Sequence, residues 1–199
     1  MAGTKGTDVK ETIIRESIKL FLSKGYRGTS IKAIMEAVNV GSGTIYWYFK
    51  SKEEILINIV QKFEKELVEG LIHAVSNREG DFARKYRALH RYTTEYARDN
   101  KELSIVFFAL LNEIVGTETE AEKEVKRIYE RFRSFVESML EDGKKDGSVR
   151  QDVNAPAFAH IIIASHMGMV EEWHVYENNF DVAFFTRSFR DLLIKSIAS

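Results

Sequence analysis

The sequence predicts an all-α protein of nine helices. The 199-residue chain contains a single proline, Pro156, so almost nothing in it interrupts long helices. Its apolar residues recur three and four positions apart, as they do on one face of an α-helix, and no segment shows the apolar–polar alternation of a half-buried strand. The chain also lacks cysteine, which excludes disulfides, thiolate metal sites and cysteine nucleophiles.

The first three predicted helices are separated by short connections. Apolar residues at helical spacing predict a first helix over residues 9–24, and Gly25 suits the position just after a helix end. The same spacing predicts a second helix over residues 31–38, which Thr29 or Ser30 can cap. A third, short helix is predicted to begin at Gly41 or Ser42. Together these helices predict a small N-terminal three-helix unit.

Six further helices are predicted after residue 50. Ser51 can cap a long fourth helix that extends to about residue 75, with Glu53 and Glu54 in its first turn, where the helix dipole favours acidic side chains. Apolar stripes predict the other five helices between Phe82 and Tyr96, Leu103 and Ile114, Val125 and Met139, Phe158 and Trp173, and Val182 and Ile197.

Several of these helices have predicted ends. A loop of residues 99–101 is expected between the fifth and sixth helices, and Gly143 is expected to end the seventh. Asn154 can cap the eighth helix, whose first turn accommodates Pro156. The eighth helix is apolar on more than one face, so we expect it to be buried on both sides or to pack against a second subunit.

Basic residues are concentrated at the N-terminal end. Residues 1–52 contain nine Lys and Arg against four Asp and Glu, a balance of +5, whereas the remaining residues contain 20 basic and 26 acidic side chains, a balance of −6. A basic head on an acidic body favours contact with a polyanion. A chance fluctuation of a few charges would produce the same balance.

The segment GSGTIYWYFK at residues 41–50 admits two interpretations. A glycine loop of a nucleotide-binding enzyme follows a strand and carries a Lys-Ser/Thr pair or a third glycine at fixed spacing. Here a predicted helix precedes the glycines, and neither of those features follows them. Two helices joined by a tight turn, the second only about seven residues long, instead match the helix-turn-helix arrangement of DNA-binding proteins.

The start of this short helix carries residues suited to phosphate. Gly43 would let the backbone approach a phosphate closely, because it has no side chain. Ser42 and Thr44 place hydroxyls near a helix N-terminus, whose free N–H groups attract phosphate oxygens. Lys52 stands at the start of the next helix and is a further candidate for a phosphate contact.

The aromatic residues of the same helix divide into two groups. Ile45 and Phe49 are four positions apart, so we expect both to face inward. Tyr46, Trp47 and Tyr48 cannot all be buried by so short a helix, and at least two must project outward. We expect Trp47 and Tyr48 to do so, since rings with polar edges suit a groove wall and its phosphates. The alternative is that these rings only form the core of a small helical unit.

The segment TSIKAIMEAVNVGSGTIYWYFKSKEEIL, residues 29–56, resembles the DNA-binding domain of the TetR family of transcriptional repressors. The positions that match the family pattern are Thr29, Ile34, Val40, Gly43, Thr44, Ile45, Tyr46, Tyr48, Phe49, Ser51, Lys52, Glu53 and Leu56. Three positions depart from it: Gly41 stands where a capping serine is usual, Asn39 where a glycine is usual, and Met35 where a small alanine is usual.

The resemblance implies a helix-turn-helix domain over residues 1–52 and a helical ligand-binding and dimerisation domain over residues 53–199. It implies a homodimer formed through the last two helices, bound to a palindromic operator in double-stranded DNA and released by a small hydrophobic effector. It implies phosphate contacts from Thr29 or Ser30, Thr44, Tyr46 and Lys52, and groove contacts from Ser42, Gly43, Trp47 and Tyr48.

A pocket for the effector is expected inside the second domain. Its candidate lining residues are Tyr86, His90, Phe107, Leu111, Phe132, Met169 and Trp173, for each of which plain core packing is the alternative. Residues 103–113 and 169–182 also resemble family members that control fatty-acid degradation and respond to acyl-CoA. An arginine usual in that subgroup is missing from FFALLNEI, and an acyl-CoA or fatty acid is therefore only one candidate effector.

Two other functions stay open from the sequence. The chain could bind small molecules without binding DNA, or it could be a helical-bundle enzyme that uses Glu171 and His174, which have the spacing of di-metal bundles. A single copy of that pair, without matching carboxylates, predicts no metal, no other cofactor and no catalysis. No apolar run approaches the roughly 20 residues that span a bilayer, and the N-terminal residues lack the apolar core of a signal peptide. We therefore expect a cytoplasmic protein without a membrane partner.

Overall fold

The computed structural model describes residues 3–176 and 181–198, with side chains from residue 9 onward. Within these ranges the chain forms nine helices, which confirms the predicted all-α class. The helices are α1 (Gly3–Lys24), α2 (Ile31–Val38), α3 (Ser42–Tyr48), α4 (an α-helical part Lys52–Phe63, a π-helical part Glu64–Glu69 and a second α-helical part Gly70–Ser76), α5 (Phe82–Asp99), α6 (Lys101–Ile114), α7 (Glu120–Asp146), α8 (Ala155–Tyr176) and α9 (Val182–Ile197).

Local capping sets several helix boundaries as the sequence predicts. Gly25 follows the end of α1 with a φ of +72°, a left-handed conformation that glycine adopts without strain. The Ser30 hydroxyl accepts a hydrogen bond from the Ala33 N–H at 3.1 Å and caps α2. Ser51 caps α4 in the same way, and the Asn154 side chain accepts from the third residue beyond it, at the start of α8.

Two predicted boundaries are wrong. The loop expected over residues 99–101 is reduced to Asn100, since α5 ends at Asp99 and α6 begins at Lys101. The seventh helix continues past Gly143 to Asp146. Gly143 is required by packing rather than by a helix end, because an added Cβ would lie 2.5 Å from a methyl carbon of Val149.

The chain folds into two compact units. The first comprises residues 1–64 and 102–126, and the second comprises residues 65–101 and 127–199. The predicted three-helix unit therefore belongs to a larger body that also contains most of α6 and the beginning of α7. The functional boundary between residues 52 and 53 stays a prediction, since compactness alone does not define what each segment binds.

Each unit has its own apolar core. In the first unit, Ile13, Ile34, Ile45 and Phe49 are fully buried, and Phe63 stacks on Phe107 with ring centroids 3.7 Å apart. In the second unit, the core residues are Leu71, Val75, Phe82, Tyr86, Ala88, Leu89, Val136, Met139, Leu140, Val149, Val153, Ala155, Ala159, Ile162, Leu193, Ile194 and Ile197. No helix in the described ranges is both long enough and apolar enough to cross a membrane.

A tyrosine contact accompanies the π-helical part of α4. The Tyr92 hydroxyl donates to the Glu66 carbonyl at 2.8 Å, and the Tyr96 hydroxyl donates to the Glu66 carboxylate at 3.3 Å. Tyr92 can approach α4 so closely because Gly70 has no side chain: an added Cβ there would overlap the Tyr92 hydroxyl and lie 2.9 Å from its ring carbon. Gly70 is therefore a packing requirement inside a helix.

We expect Gly70→Ala to lower the free energy of unfolding by about 2 kcal/mol, because forced overpacking outweighs the gain in helix propensity. The measurement is urea unfolding followed by circular dichroism. In a Tyr92→Phe background the hydroxyl that causes the overlap is absent, so the same Gly70→Ala change should cost less. An equal cost in both backgrounds would contradict this explanation.

Candidate nucleic-acid interface

A left-handed asparagine forms the turn between α2 and α3. Asn39 has a φ of 57° and a ψ of 49°, and its N–H donates to the Glu36 carbonyl at 3.2 Å. Asparagine tolerates this conformation better than other residues with a side chain, which explains how it replaces the usual glycine. Gly41 is the N-cap of α3, and the helix begins at Ser42 without a side-chain cap. The structure thus resolves the two predicted starting points in favour of Ser42.

The N-terminal end of α3 presents an open surface. Ser42 and Gly43 are exposed, and Thr44 is half-buried. An added Cβ at Gly43 would meet nothing within 4 Å. Among the described residues nothing packs so closely on Gly43 that it must lack a side chain, in contrast to Gly70. The open space at Gly43 leaves room for another molecule to approach the backbone closely, as the sequence predicts for a phosphate.

The aromatic side chains of α3 lie partly where they were predicted. Ile45 and Phe49 are fully buried, as expected. Trp47 is 77% exposed and Tyr46 is 54% exposed, whereas Tyr48 is half-buried with its ring edge-to-face against Trp47 at a centroid distance of 4.5 Å. The most exposed pair is therefore Tyr46 and Trp47, whereas Tyr48, which was expected to project outward with Trp47, is half-buried.

Thr29 does not lie on this surface. It is only 2% exposed, and its hydroxyl donates to the Gly25 carbonyl at 2.8 Å. The predicted phosphate contact from Thr29 is thus inconsistent with its position, since its hydroxyl is buried and already bonded. Ser30, the alternative that the sequence offered, is exposed.

Lys52 is committed to the segment between α1 and α2, residues 25–30, which we call the connector. Its ammonium group donates to the carbonyls of Tyr26 and Thr29, each at 2.7 Å, and lies 4.2 Å from the centroid of the Tyr26 ring. Burial lowers the pKa of Lys52, and the nearby Glu113 carboxylate opposes that shift. Lys52 was predicted as a phosphate contact, but two of its three donor hydrogens hold the connector instead.

Glu113 binds the same connector as a hydrogen-bond acceptor, whereas Lys52 binds it as a donor. One of its carboxylate oxygens accepts from the Tyr26 N–H and the other from the Arg27 N–H, both at 2.9 Å. The Arg27 guanidinium also donates to the Glu113 carbonyl at 3.4 Å. We call Lys52 and Glu113 together the connector clamp, because one holds carbonyl groups and the other holds N–H groups.

Sequence reasoning missed Glu113 and Lys50. Glu113 lies 87 residues after Tyr26, and no local pattern indicates that pairing. Lys50 is exposed just after α3, and its N–H donates to the Glu54 carboxylate at 2.6 Å. Its positive charge and its position directly after the short helix could have identified Lys50 as a candidate for a phosphate contact.

The predicted pocket residues are distributed over both units. Phe107 and Leu111 belong to the first unit, where Phe107 stacks on Phe63 as part of the core. The second unit contains Tyr86, His90, Phe132, Met169 and Trp173. Of these, Tyr86, His90 and Met169 are buried, while Trp173 is half-buried with the Lys101 ammonium 5.2 Å from its ring centroid.

Glu171 and His174 are both exposed near the end of α8. In the part of the chain that the structure describes, no group of three or more potential ligand side chains could hold a metal ion. The structure therefore places no further ligand beside this pair among the described residues.

Two family models match the sequence. Residues 13–59 match the model of bacterial regulatory proteins of the tetR family, and residues 83–189, more than half of the chain, match the tetracyclin repressor-like C-terminal domain. An uncharacterized HTH-type transcriptional regulator of Bacillus subtilis (strain 168), YhgD, is 30% identical over 83% of this chain and 84% of its own length. The fatty acid metabolism regulator protein of the same organism is 20% identical over 93% of each chain.

Solved structures share the same fold. The crystal structure of the MbdR regulator from Azoarcus sp. CIB superposes with a TM-score of 0.83 at 26% identity, covering 94% of this chain and 97% of that one. The crystal structure of a transcriptional regulator FadR from Bacillus subtilis in complex with stearoyl-CoA superposes with a TM-score of 0.77 at 18% identity, covering 92% of this chain and 97% of that one.

We expect Glu113→Ala to lower the free energy of unfolding by about 1–2 kcal/mol, because it removes the charged acceptor of two connector N–H groups. Glu113→Gln, which keeps one oxygen, should cost less. Chemical denaturation measures both. The matched control is Glu36→Ala, which removes an exposed carboxylate 3.9 Å from Lys32 and should change stability by no more than about 0.5 kcal/mol. Equal effects of Glu113→Ala and Glu36→Ala would contradict the clamp.

Proposed function

The chain belongs to the TetR family of bacterial regulatory proteins, and we propose that it is a homodimeric repressor that a small hydrophobic effector releases from a palindromic operator. Its family makes it a DNA-binding transcriptional regulator of the helix-turn-helix type. The observation that carries the proposal is the exposed aromatic face of α3. A tryptophan that is 77% exposed on a helix whose other face is fully buried is typical of a binding surface.

The exposed face of α3 suits the major groove of DNA. The indole of Trp47 offers an apolar surface for base edges and one N–H donor, and the open backbone at Gly43 permits close approach. We assign groove contacts to Ser42, Gly43 and Trp47. We assign phosphate contacts to Ser30, Thr44, Tyr46 and Lys50, all of which carry donors at or beside this face. In this assignment Tyr48 supports Trp47, and Lys52 positions the connector.

Exposed apolar side chains indicate where two chains meet. Eight large hydrophobic side chains are exposed in the described residues, and five of them lie on the last two helices: Ile161, Val175 and Tyr176 on α8, and Phe184 and Leu192 on α9. This concentration supports a dimer formed through α8 and α9, as the sequence predicted. Dimerisation also serves recognition, because one short helix reads few base pairs and a two-fold dimer doubles the site into a palindrome.

The connector clamp is the part of the protein through which we propose that regulation acts. An effector changes DNA affinity only if it binds one arrangement of the protein better than another. The chain of α4 passes from the first unit to the second, and its first residue is Lys52. We propose that effector binding in the second unit moves α4, which shifts the connector and with it the position of α3.

A hydrophobic effector fits both the second unit and the relatives. The core of that unit contains the buried rings of Phe82 and Tyr86, and further, partly buried aromatic rings pack against it. A fatty acid metabolism regulator is similar to this chain in sequence, and a FadR bound to stearoyl-CoA shares its fold. We therefore propose a small hydrophobic molecule as the effector, with an acyl-CoA or fatty acid as the first candidate, and stearoyl-CoA as the first compound to add to a preformed protein–DNA complex.

We expect Lys50→Ala to weaken binding to an operator duplex and to a scrambled duplex by a similar factor, because it removes a phosphate contact. The slope of log affinity against log salt concentration should fall by about one.

We expect Trp47→Ala to lower the ratio of operator to scrambled affinity by roughly tenfold, because it removes a groove contact. Fluorescence anisotropy at several salt concentrations measures both, with operator DNA taken from the region upstream of the chain's own gene.

Lys145→Ala is the matched control for these DNA measurements. Lys145 is 75% exposed, lies in the second unit and pairs with the nearby Asp142 at 2.8 Å. Its loss should leave both affinities unchanged. The assignment of roles is wrong if Trp47→Ala and Lys50→Ala lower specific and non-specific binding alike, and the repressor proposal is wrong if wild-type binding shows no sequence preference.

We expect Leu192→Glu to shift the protein from dimer to monomer, because it places a charge in an apolar interface between two copies of α9. Sedimentation equilibrium measures the dissociation constant, which should rise at least tenfold. Val115→Glu is the control, since Val115 is 58% exposed but lies just after α6. A dimer that survives Leu192→Glu and Phe184→Glu would place the interface elsewhere.

A further inference from the structure

Lys10 of α1 lies beside the C-terminal end of α3. Its ammonium nitrogen is 5.5 Å from the centroid of the Phe49 ring, a distance at which the face of an aromatic ring attracts a cation. Phe49 is the residue directly after α3, and the exposed Lys50 follows it. Two lysines, one on α1 and one just after α3, are therefore placed at the same end of this helix.

The charge of Lys10 has no ion-pair partner among the described residues. Glu11, its neighbour on α1, pairs instead with Lys62 of α4 at 3.6 Å. In the described range 9–64, the side chains of Lys24 and Lys50 are the other basic groups that make neither an ion pair nor a hydrogen bond. The positive charge of Lys10 is thus available to a partner outside the chain.

Packing explains the hydrocarbon stem of Lys10 but not its charge. The residue is half-buried, and the Phe49 ring beside it is fully buried. An uncharged side chain of similar length, such as methionine, would cover the ring as well. The charge adds only a weak attraction to the ring, so the first unit does not require it for its core.

A cation at this end of α3 favours the binding of phosphate. The last carbonyl groups of a helix have no partner within the helix, so its C-terminal end carries negative polarity. A phosphate near the N-terminal end meets free N–H groups, whereas a phosphate near the C-terminal end needs a positively charged side chain. Lys10 and Lys50 supply that charge where α3 itself does not.

We infer that Lys10 contacts a phosphate of the operator, so that α1 holds the DNA together with the helix-turn-helix of α2 and α3. This inference rests on the proposed function and adds a residue to its DNA-binding surface. An ammonium group is a compact charge with three donors, which suits a phosphate oxygen and carries no sequence information there. Lys10 therefore contributes general affinity and positioning, as Lys50 does.

Lys10→Met tests this inference, because methionine keeps the cover over Phe49 and removes the charge. We expect it to weaken binding to the operator duplex and to the scrambled duplex by a similar factor. The slope of log affinity against log salt concentration should fall by about one, as in Lys50→Ala. The loss relative to the wild type should then shrink about fourfold between about 50 and about 200 mM salt. Fluorescence anisotropy measures all of these quantities.

Lys10→Arg and Lys24→Met are the matched controls. Arginine keeps the positive charge, so Lys10→Arg should keep the wild-type slope. Lys24 lies on the same helix, is exposed and is equally unpaired among the described residues, but it lies about 21 Å farther along α1 at a rise of about 1.5 Å per residue. Lys24→Met should leave both affinities and the slope unchanged.

Three results would overturn the inference. The first is a wild-type slope in Lys10→Met, and the second is a slope lowered equally by Lys24→Met. The third is a slope that Lys10→Arg loses as Lys10→Met does. Urea unfolding of the same preparations adds a readout for a purely structural role, which would lower the free energy of unfolding and leave the salt slope as it is.

Failure of the proposed repressor function gives a different result. In that case the wild-type protein does not distinguish the operator from the scrambled duplex. The slope on the scrambled duplex still reports whether Lys10 contacts a phosphate, because this contact does not depend on sequence. Conversely, a wild type that prefers its operator, with an unchanged slope in Lys10→Met, would refute the role of Lys10 alone.

Discussion

The position of the DNA-reading helix depends on how the polar backbone of a short connector is satisfied. Residues 25–30 leave the regular hydrogen-bond pattern of α1 before that of α2 begins, and their carbonyl and N–H groups need partners. Lys52 supplies donors to two carbonyls, and Glu113 supplies acceptors to two N–H groups. Since α2 and α3 follow directly, the clamp fixes the segment from which they start, and the buried side chains of Ile34, Ile45 and Phe49 hold the two helices in the first unit.

The recognition helix shows a clear division between stability and function. Ile45 and Phe49 are fully buried and anchor α3 to its unit, whereas Tyr46 and Trp47 are exposed and belong to neither core. The two glycines also differ in whether the fold requires them. A side chain at Gly70 would overlap Tyr92, whereas a side chain at Gly43 would meet open space. Features that the fold does not require are therefore concentrated on one face, as expected of a surface that serves a partner.

The second unit contains the opposite case, a buried hydroxyl that the fold has not satisfied. Most buried polar groups in folded proteins are paired, and even the half-buried Glu66 has its carbonyl and its carboxylate bound by two tyrosines. Tyr86 is more deeply buried, but its hydroxyl oxygen has no hydrogen-bond partner in the described part of the chain.

The sequence by itself determined the helices, their caps and the motif, because these depend on residues within a few positions of each other. Apolar spacing predicted nine helices, Ser30, Ser51 and Asn154 cap as predicted, and residues 29–56 identified the family. Only the tertiary structure decided which polar side chains are free. It buried Thr29, committed Lys52 to the connector, turned Tyr46 rather than Tyr48 outward and brought Glu113 to Tyr26 across 87 residues. Such pairings depend on how the helices pack in three dimensions, and no periodic pattern in the sequence reveals them.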